Sequence, residues 1–341
     1  MKIHAIFTGG TIGSKVNDKG VISPAKSATF SLLERYRKEH GQSVRFLCQE
    51  PYYILSENLD FEHVAMLIEC VGTCLTQQAD GILVMHGTDS LQYSAAFLQY
   101  LFADARMPIV LVSSNYPLED ERANGYTNFC RAVDFIRAKA GTGVFVSYEN
   151  PGSIPRIHRA TRLLAHQAYS DRLESLSGQI YGSFFRGQFQ KNPYYEDGTK
   201  DTVFGRKALT LLSGLKTLKR DAVLRLYAHI GMNYPAISED TRAILIESYH
   251  SGTIELCEEG KKYFAEAKDK GIPVYLVGLS GGEKVYETVE AYQELGIHIL
   301  PQCTPISQYV KLSMAVAGGF SLEEVMQTPM GEDFVAHPLH S

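Results

Sequence analysis

The 341-residue chain has six cysteines, and they are scattered. Only Cys70 and Cys74 lie four apart, as neighbours on one face of an expected helix. No CxxC pair, HExxH or other metal-ligand spacing occurs among Cys and His, which gives no signal for a zinc site and leaves the cysteines a buried, apolar role. Charge of one sign is also scarce. The formal net charge is -5, and no Lys/Arg run is long enough to mark a nucleic-acid or anionic-lipid surface. No apolar stretch approaches the roughly 18–20 residues of a membrane helix. The amino-terminal apolar run KIHAIF meets Gly9-Gly10 too early for a signal-peptide core, so a cytoplasmic location is expected. Repeats and low-complexity tracts are missing too.

What remains is the composition of a soluble globular protein, with 45% hydrophobic and 21% charged residues. The length suits two domains. Apolar runs KIHAIF, ILVMH, PIVLVSS and VFVSY alternate with longer periodic segments, the βαβ signature of a mostly parallel sheet. From about Gly187 to Arg220 the pattern gives way to a stretch rich in Gly, Pro, Asp and Lys. Strand-like AVLRLYAHI, AILIESY and PVYLVGL follow, with helical segments at 258–270 and 285–295 that end at Gly271 and Gly296. The expected architecture is α/β in two domains: a larger doubly wound, flavodoxin-like domain over residues 1–190, a linker over 191–221, and a smaller parallel α/β domain over 222–341.

Ligands of parallel sheets gather beyond the carboxyl ends of the strands, so polar motifs directly after apolar runs matter most. Thr8-Gly9-Gly10-Thr11-Ile12-Gly13 follows KIHAIF. Its glycines permit a sharp turn that exposes the Thr11 hydroxyl to a substrate carbonyl. Neither GxGxxG nor GxxxxGK[ST] is present, and the acidic ribose partner of a dinucleotide fold is missing too, so phosphate and dinucleotide readings fail. His86-Gly87-Thr88-Asp89-Ser90 follows ILVM; Asp89 or Ser90 alternatively caps the next helix, and His86 reads as a packed histidine. Ser56-Glu57-Asn58 follows YYIL and opens another expected helix, where Ser56 alternatively serves as a cap. Lys139 falls near the end of the helix through NFCRAVDFIRAKAG, along the edge of a stripe of Phe129, Val133 and Ile136. An ammonium there either reaches inward as a base or meets the helix dipole.

Taken together, TGGTIG at 8–13, HGTDS at 86–90 and NYPLEDERANGYTNFCRAV at 115–133 resemble the bacterial L-asparaginase family, most closely its cytoplasmic type, and the resemblance runs on through VFVSYENPGSIPRIHRATR, AILIESYHSGT and GIPVYLVGLSGG. It implies an amidohydrolase that converts asparagine to aspartate and ammonia through an acyl-enzyme. Thr11 is the implied nucleophile, with Thr88, Asp89 and Lys139 as a second catalytic cluster. Gly10, Ser56, Glu57, Gly87, Thr88, Asp89 and Ser114 are the implied substrate contacts. No cofactor or metal is implied, and the substrate is a small amino-acid amide handled by a homodimer or homotetramer. Val21 aligns with the loop tyrosine that contacts the nucleophile in this family, and a small shift offers only Ser23. That departure opens two further readings: action on glutamine or another amide, and a catalytically weakened amino-acid binder. Ser90 stands for the more usual Thr, Asn124 for an Asp, and Ile306 for a Glu.

Overall fold

The structure is a computed structural model that describes residues 1–16, 22–24, 26–198, 203–279 and 286–332. The first half builds β1 (Lys2–Phe7), β2 (Ser14–Val16), β3 (Ile22–Pro24), α1 (Lys26–His40), β4 (Arg45–Gln49), α2 (Phe61–Leu75), β5 (Gly81–Met85), α3 (Leu91–Phe102), β6 (Pro108–Val112), α4 (Gly125–Arg137) and β7 (Gly143–Tyr148). Then come β8 (Arg156–Arg159), β9 (Gly182–Phe185) and β10 (Gln188–Lys191). The eight-stranded sheet has the order β10-β9-β8-β7-β6-β5-β1-β4. Strands β4, β1, β5, β6 and β7 are parallel, whereas β8, β9 and β10 add antiparallel.

The continuous apolar runs are explained by cover on both faces. Ile82 and Val84 point into a core shared with α2 and α3, and the alternate residues Leu83 and Met85 point into one shared with α1 and α4. This is the period-two alternation of a strand, and it makes the sheet doubly wound, as expected. The breakdown of pattern after Gly187 is partly the β9–β10 hairpin. Its turn, Arg186-Gly187, has φ of 49° and 78°, the paired positive angles of a tight two-residue hairpin turn.

The remaining elements are α5 (Ala208–Thr217), β11 (Val223–Tyr227), β12 (Ala243–Glu247), α6 (Glu258–Asp269), β13 (Val274–Val277), α7 (Glu287–Glu294), β14 (Ile297–Ile299), α8 (Pro305–Ala317) and α9 (Leu322–Gln327). Strands β11 to β14 form a second, all-parallel sheet in chain order. The segment expected as a linker carries α5, whose Leu211 and Leu215 are buried in the core of the large domain together with Ile306, Val310 and Met314 of α8. Ile306 therefore faces packed side chains of the large domain, where a carboxylate would be costly. No helix among the described residues is long and apolar enough to cross a membrane.

Candidate active site

In the order β4-β1-β5-β6, the chain leaves β1 toward one edge and returns to its other side at β5. The crevice beyond the carboxyl ends of β1 and β5 is therefore the topological switch point, where open α/β sheets bind ligands. Both hydroxyl-bearing turns open there. Phe7 pairs with Met85, so Thr8-Gly9-Gly10-Thr11 and His86-Gly87-Thr88-Asp89 leave the sheet side by side.

Their approach is close. Gly9 and Gly10 have φ of 99° and 70°, and a Cβ on Gly10 would lie 2.2 Å from Gly87 Cα. A side chain at Gly10 is thus excluded by both backbone angle and space. Gly10 N–H donates to Ile54 O at 2.8 Å and Ser14 Oγ donates to Gly10 O at 2.7 Å. Thr11 then starts a short 3-10 turn, half-buried. Tyr53 brings a phenol to this turn, donating to Gly13 O at 2.6 Å. Lys15 pairs with Glu119 at 3.3 Å, tying the β2–β3 hairpin to the loop after β6. Val21 lies outside the described residues; Ser23 is exposed, opposite Lys15 in that hairpin.

Ser56 and Asp89 meet in the same crevice. Helix α2 begins at Phe61, and its cap is Asp60, which accepts from His63 N–H. Ser56 caps nothing; its hydroxyl instead donates to Asp89 Oδ2 at 3.3 Å. Neither Asp89 nor Ser90 caps α3 through its side chain, since Ser90 Oγ donates to Ser56 O at 2.7 Å. The capping alternatives are thereby answered at all three positions. Glu57 is exposed beside them. His86 is a packed histidine: Nδ1 is 2.8 Å from Gly87 O, Nε2 is 2.8 Å from Ser94 Oγ, and burial pushes its pKa down to about 4.

Ser114 is fully buried, its Oγ donating to Tyr116 O at 2.5 Å and accepting from Gly125 N–H at 3.1 Å. Its side chain holds the entry to α4 and leaves only backbone for a substrate. Asn124 stands where the family pattern has a carboxylate because it must also donate. Its Oδ1 accepts from Asn115 N–H at 3.0 Å while Nδ2 donates to Glu149 O at 2.9 Å. Tyr126 is turned to α1, where it donates to Glu39 and stacks under Arg35.

Lys139 is the correction. Helix α4 ends at Arg137, and Lys139 lies beyond it with φ of 49°, exposed to solvent. This is the left-handed stop that follows a helix, taken here by a lysine where glycine is usual. It lies four residues before β7, at the amino edge of the sheet. Register pairs Gly143 with Pro108 and Ser147 with Val112, so β7 alone separates Lys139 from the carboxyl edge by about 13 Å. Lys139→Met is accordingly expected to leave kcat and KM for any amide unchanged, measured by ammonia release; a tenfold drop would return the lysine to the site.

Sequence reasoning passed over the loop 163–175. It is fastened over the carboxyl end of β7 by Tyr148 OH to Asp171 O at 3.0 Å and by Asn150, which both donates to Leu173 O and accepts from Leu173 N–H. It carries His166, whose Nε2 is buried without a hydrogen-bond partner among the described residues.

A cavity of about 820 Å³ opens from Ser56, Glu57 and Asp89 toward the second domain, where Arg220, Arg225 and Tyr309 form the facing wall. Arg225 is held there by Glu247, with Nε to Oε1 at 2.5 Å, and donates to Tyr93 OH. Among the described residues no three His, Cys, Asp or Glu side chains gather as a metal site would.

A doubly wound domain with hydroxyl-bearing glycine turns at its switch point, joined to a second parallel α/β sheet, defines a class of two-domain α/β proteins. The chain belongs to the asparaginase family: the model for the amino-terminal asparaginase domain matches residues 2–184, more than half its length. It is 26% identical to a subunit of the glutamyl-tRNA(Gln) amidotransferase of Sulfurisphaera tokodaii, over 95% of this chain and 72% of that one. The same subunit from Metallosphaera sedula is 25% identical over 95% and 74%. The thermostable L-asparaginase from Thermococcus kodakarensis superposes with a TM-score of 0.78 at 20% identity, covering 99% and 100% of the two chains. A probable cytoplasmic L-asparaginase from Campylobacter jejuni gives 0.72 at 21%, covering 96% and 98%. These two likenesses establish the fold.

Proposed function

We infer that the protein hydrolyses the carboxamide of an amino acid, with Thr11 as nucleophile, and that L-asparagine is its substrate. What supports this reading is that the turns bearing Thr11 and Thr88-Asp89 leave neighbouring strands side by side at the switch point, with Ser56 donating to Asp89, within one family whose members act on amides. Thr11 Oγ1 attacks the amide carbon and ammonia departs; water then cleaves the acyl-enzyme to aspartate. Backbone N–H groups at Thr11 and Thr88 face the developing oxyanion, while Asp89, Ser56 and Glu57 hold the α-ammonium and α-carboxylate. The chemistry requires neither metal nor organic cofactor. The cytoplasmic type and a homodimeric or homotetrameric state belong to the same proposal, the latter tested by sedimentation.

A second reading is that the amide belongs to glutamine or a larger molecule. Two observations favour it. The relatives of Sulfurisphaera and Metallosphaera are named for an amidotransferase acting at glutamyl-tRNA(Gln), and the cavity of about 820 Å³ falls in the range that encloses drug-sized ligands, well beyond one free asparagine. Ammonia release from asparagine, glutamine and amides extended at the α-carboxyl group separates the readings. A kcat/KM for asparagine several orders above the rest supports the first, and preference for glutamine or an extended amide supports the second. Silence on every amide, with saturable aspartate binding, would replace both by the amino-acid binder.

A further inference from the structure

The turn that carries the proposed nucleophile has little of its own to hold it. It is a single 3-10 turn, Thr11–Gly13, entered through Gly9 and Gly10 at positive φ, and so short a turn with glycine at both ends keeps one shape only if neighbours impose it. We propose that Tyr53 is the positioning residue for Thr11: its phenol fastens the far end of the turn and so fixes the direction from which the Thr11 hydroxyl meets the amide carbon. The inference rests on the amide-hydrolysis reading above and adds to it a residue that the reading does not use.

The contacts run along the turn in order. Gly10 N–H donates to Ile54 O at 2.8 Å, and Gly10 O accepts from Gly13 N–H at 3.0 Å and from Ser14 Oγ at 2.7 Å. Thr11 O accepts from Ser14 N–H. Ile12 is buried in the core shared with α1 and α4. At the exit Tyr53 OH donates to Gly13 O at 2.6 Å, from a segment 40 residues away in the chain. The fit is close, since a Cβ on Gly13 would lie 2.6 Å from that hydroxyl oxygen. The Tyr53 ring packs against the same core that takes Ile12, so the phenol reaches Gly13 from a fixed base.

The segment that carries Tyr53 also grips the second turn of the site. Ile54 runs beside Gly9 as a parallel bridge, and its N–H donates to Thr8 O at 3.1 Å. Three residues after Tyr53, Ser56 Oγ donates to Asp89 Oδ2 at 3.3 Å, and a Cβ on Gly87 would lie 2.4 Å from Ser56 Oγ. Residues 53–56 thus hold the Thr11 turn at one end and the Gly87–Asp89 turn at the other. Under the proposed function Ser56 and Asp89 fix the charged α-groups of the substrate, while Tyr53 fixes the oxygen that must approach its amide carbon. Reacting atoms have to lie about 3–3.5 Å apart, and a misplacement of about 1 Å costs roughly a hundredfold. One neutral hydrogen bond is by itself equivalent to a factor of about 2–10. An effect of about tenfold lies between the two.

The test is Tyr53→Phe, which removes the hydroxyl and keeps the ring, with ammonia release from asparagine, glutamine and amides extended at the α-carboxyl group measured well below the thermal transition, where circular dichroism shows the variant folded. We expect kcat for the preferred amide to fall about tenfold with KM nearly unchanged, whereas Ser56→Ala should act chiefly on KM. Gly13→Ala is the second variant. Gly13 does not have a positive φ, so alanine suits its backbone, but the new Cβ would meet the Tyr53 hydroxyl, and kcat should fall to about the level of Tyr53→Phe. Adding Tyr53→Phe to Gly13→Ala should then cost nothing further, because both changes break one contact.

Unchanged kcat in Tyr53→Phe, a loss confined to KM, or losses that multiply in the double variant would each overturn the role of Tyr53; the amide reading stands in those cases as long as Thr11→Ala abolishes turnover. If wild-type protein releases ammonia from none of these amides, or Thr11→Ala matches wild type, both fall.

Discussion

Replacing Thr11 by alanine should lower kcat for the amide substrate by at least about a thousandfold, with little change in KM. In the proposed reaction the hydroxyl acts only as the new C–O bond forms, so its loss falls on the transition state and spares the ground-state binding assigned to Ser56, Glu57 and Asp89. Thr11 makes no hydrogen bond through its hydroxyl to another described residue, and its turn is set by Gly10 and by the Ser14 and Tyr53 contacts with the backbone. The variant should therefore fold with an unaltered urea midpoint, which separates chemistry from collapse. Thr11→Ser, which keeps the oxygen, should retain measurable turnover. Combining Thr11→Ala with Thr88→Ala should cost little beyond the first change, because groups that act as a unit are not additive. Ammonia release by Thr11→Ala equal to wild type would end the nucleophile assignment.

The placement of the candidate motifs was legible because they lie immediately after strands. Continuous apolar runs located β1, β5, β6 and β7, and each was followed by its polar motif at the carboxyl end. What could not be read was set by distant contacts. Ser56 looks like a helix cap until α2 begins five residues later at Phe61, leaving its hydroxyl for Asp89. Lys139 looks helical because the stripe of Phe129, Val133 and Ile136 continues toward Gly141; the backbone turns left-handed two residues sooner. The loop 163–175 has no periodicity, and its place depends on how Asn150 and Tyr148 fasten it over the end of β7. The three antiparallel strands β8 to β10 escaped because a short edge strand lacks the long apolar run of a buried parallel one.

The largest effect on stability is expected at Lys311. Helix α8 joins the two domains: Ile306, Val310 and Met314 face the large-domain core, while Leu312 packs beneath the second sheet. Lys311 lies between these contacts, with its side chain 1% and that of Glu332 3% exposed, their Nζ and Oε1 2.5 Å apart. Lys311 also donates to Thr328 O at 2.7 Å, and Glu332 Oε2 accepts from Met330 N–H at 2.7 Å. The pair thus fixes the chain after α9 onto α8. Lys311→Met removes the cation and strands a buried carboxylate, which should cost about 3–5 kcal/mol, a large part of the roughly 5–15 kcal/mol that holds a domain folded. Glu332→Gln in the same background removes the stranded charge and keeps an acceptor for Met330 N–H, so the double variant should regain most of the loss. Urea unfolding of the four proteins in a double-mutant cycle measures this coupling. A cost below about 1 kcal/mol for Lys311→Met would match an exposed ion pair and contradict the burial. Because α8 also carries Tyr309 in the wall of the cavity that faces Asp89, an amide that spans the cavity should lose affinity in the single variant and regain it in the double, whereas free asparagine, under the proposed binding at Ser56, Glu57 and Asp89 alone, should not.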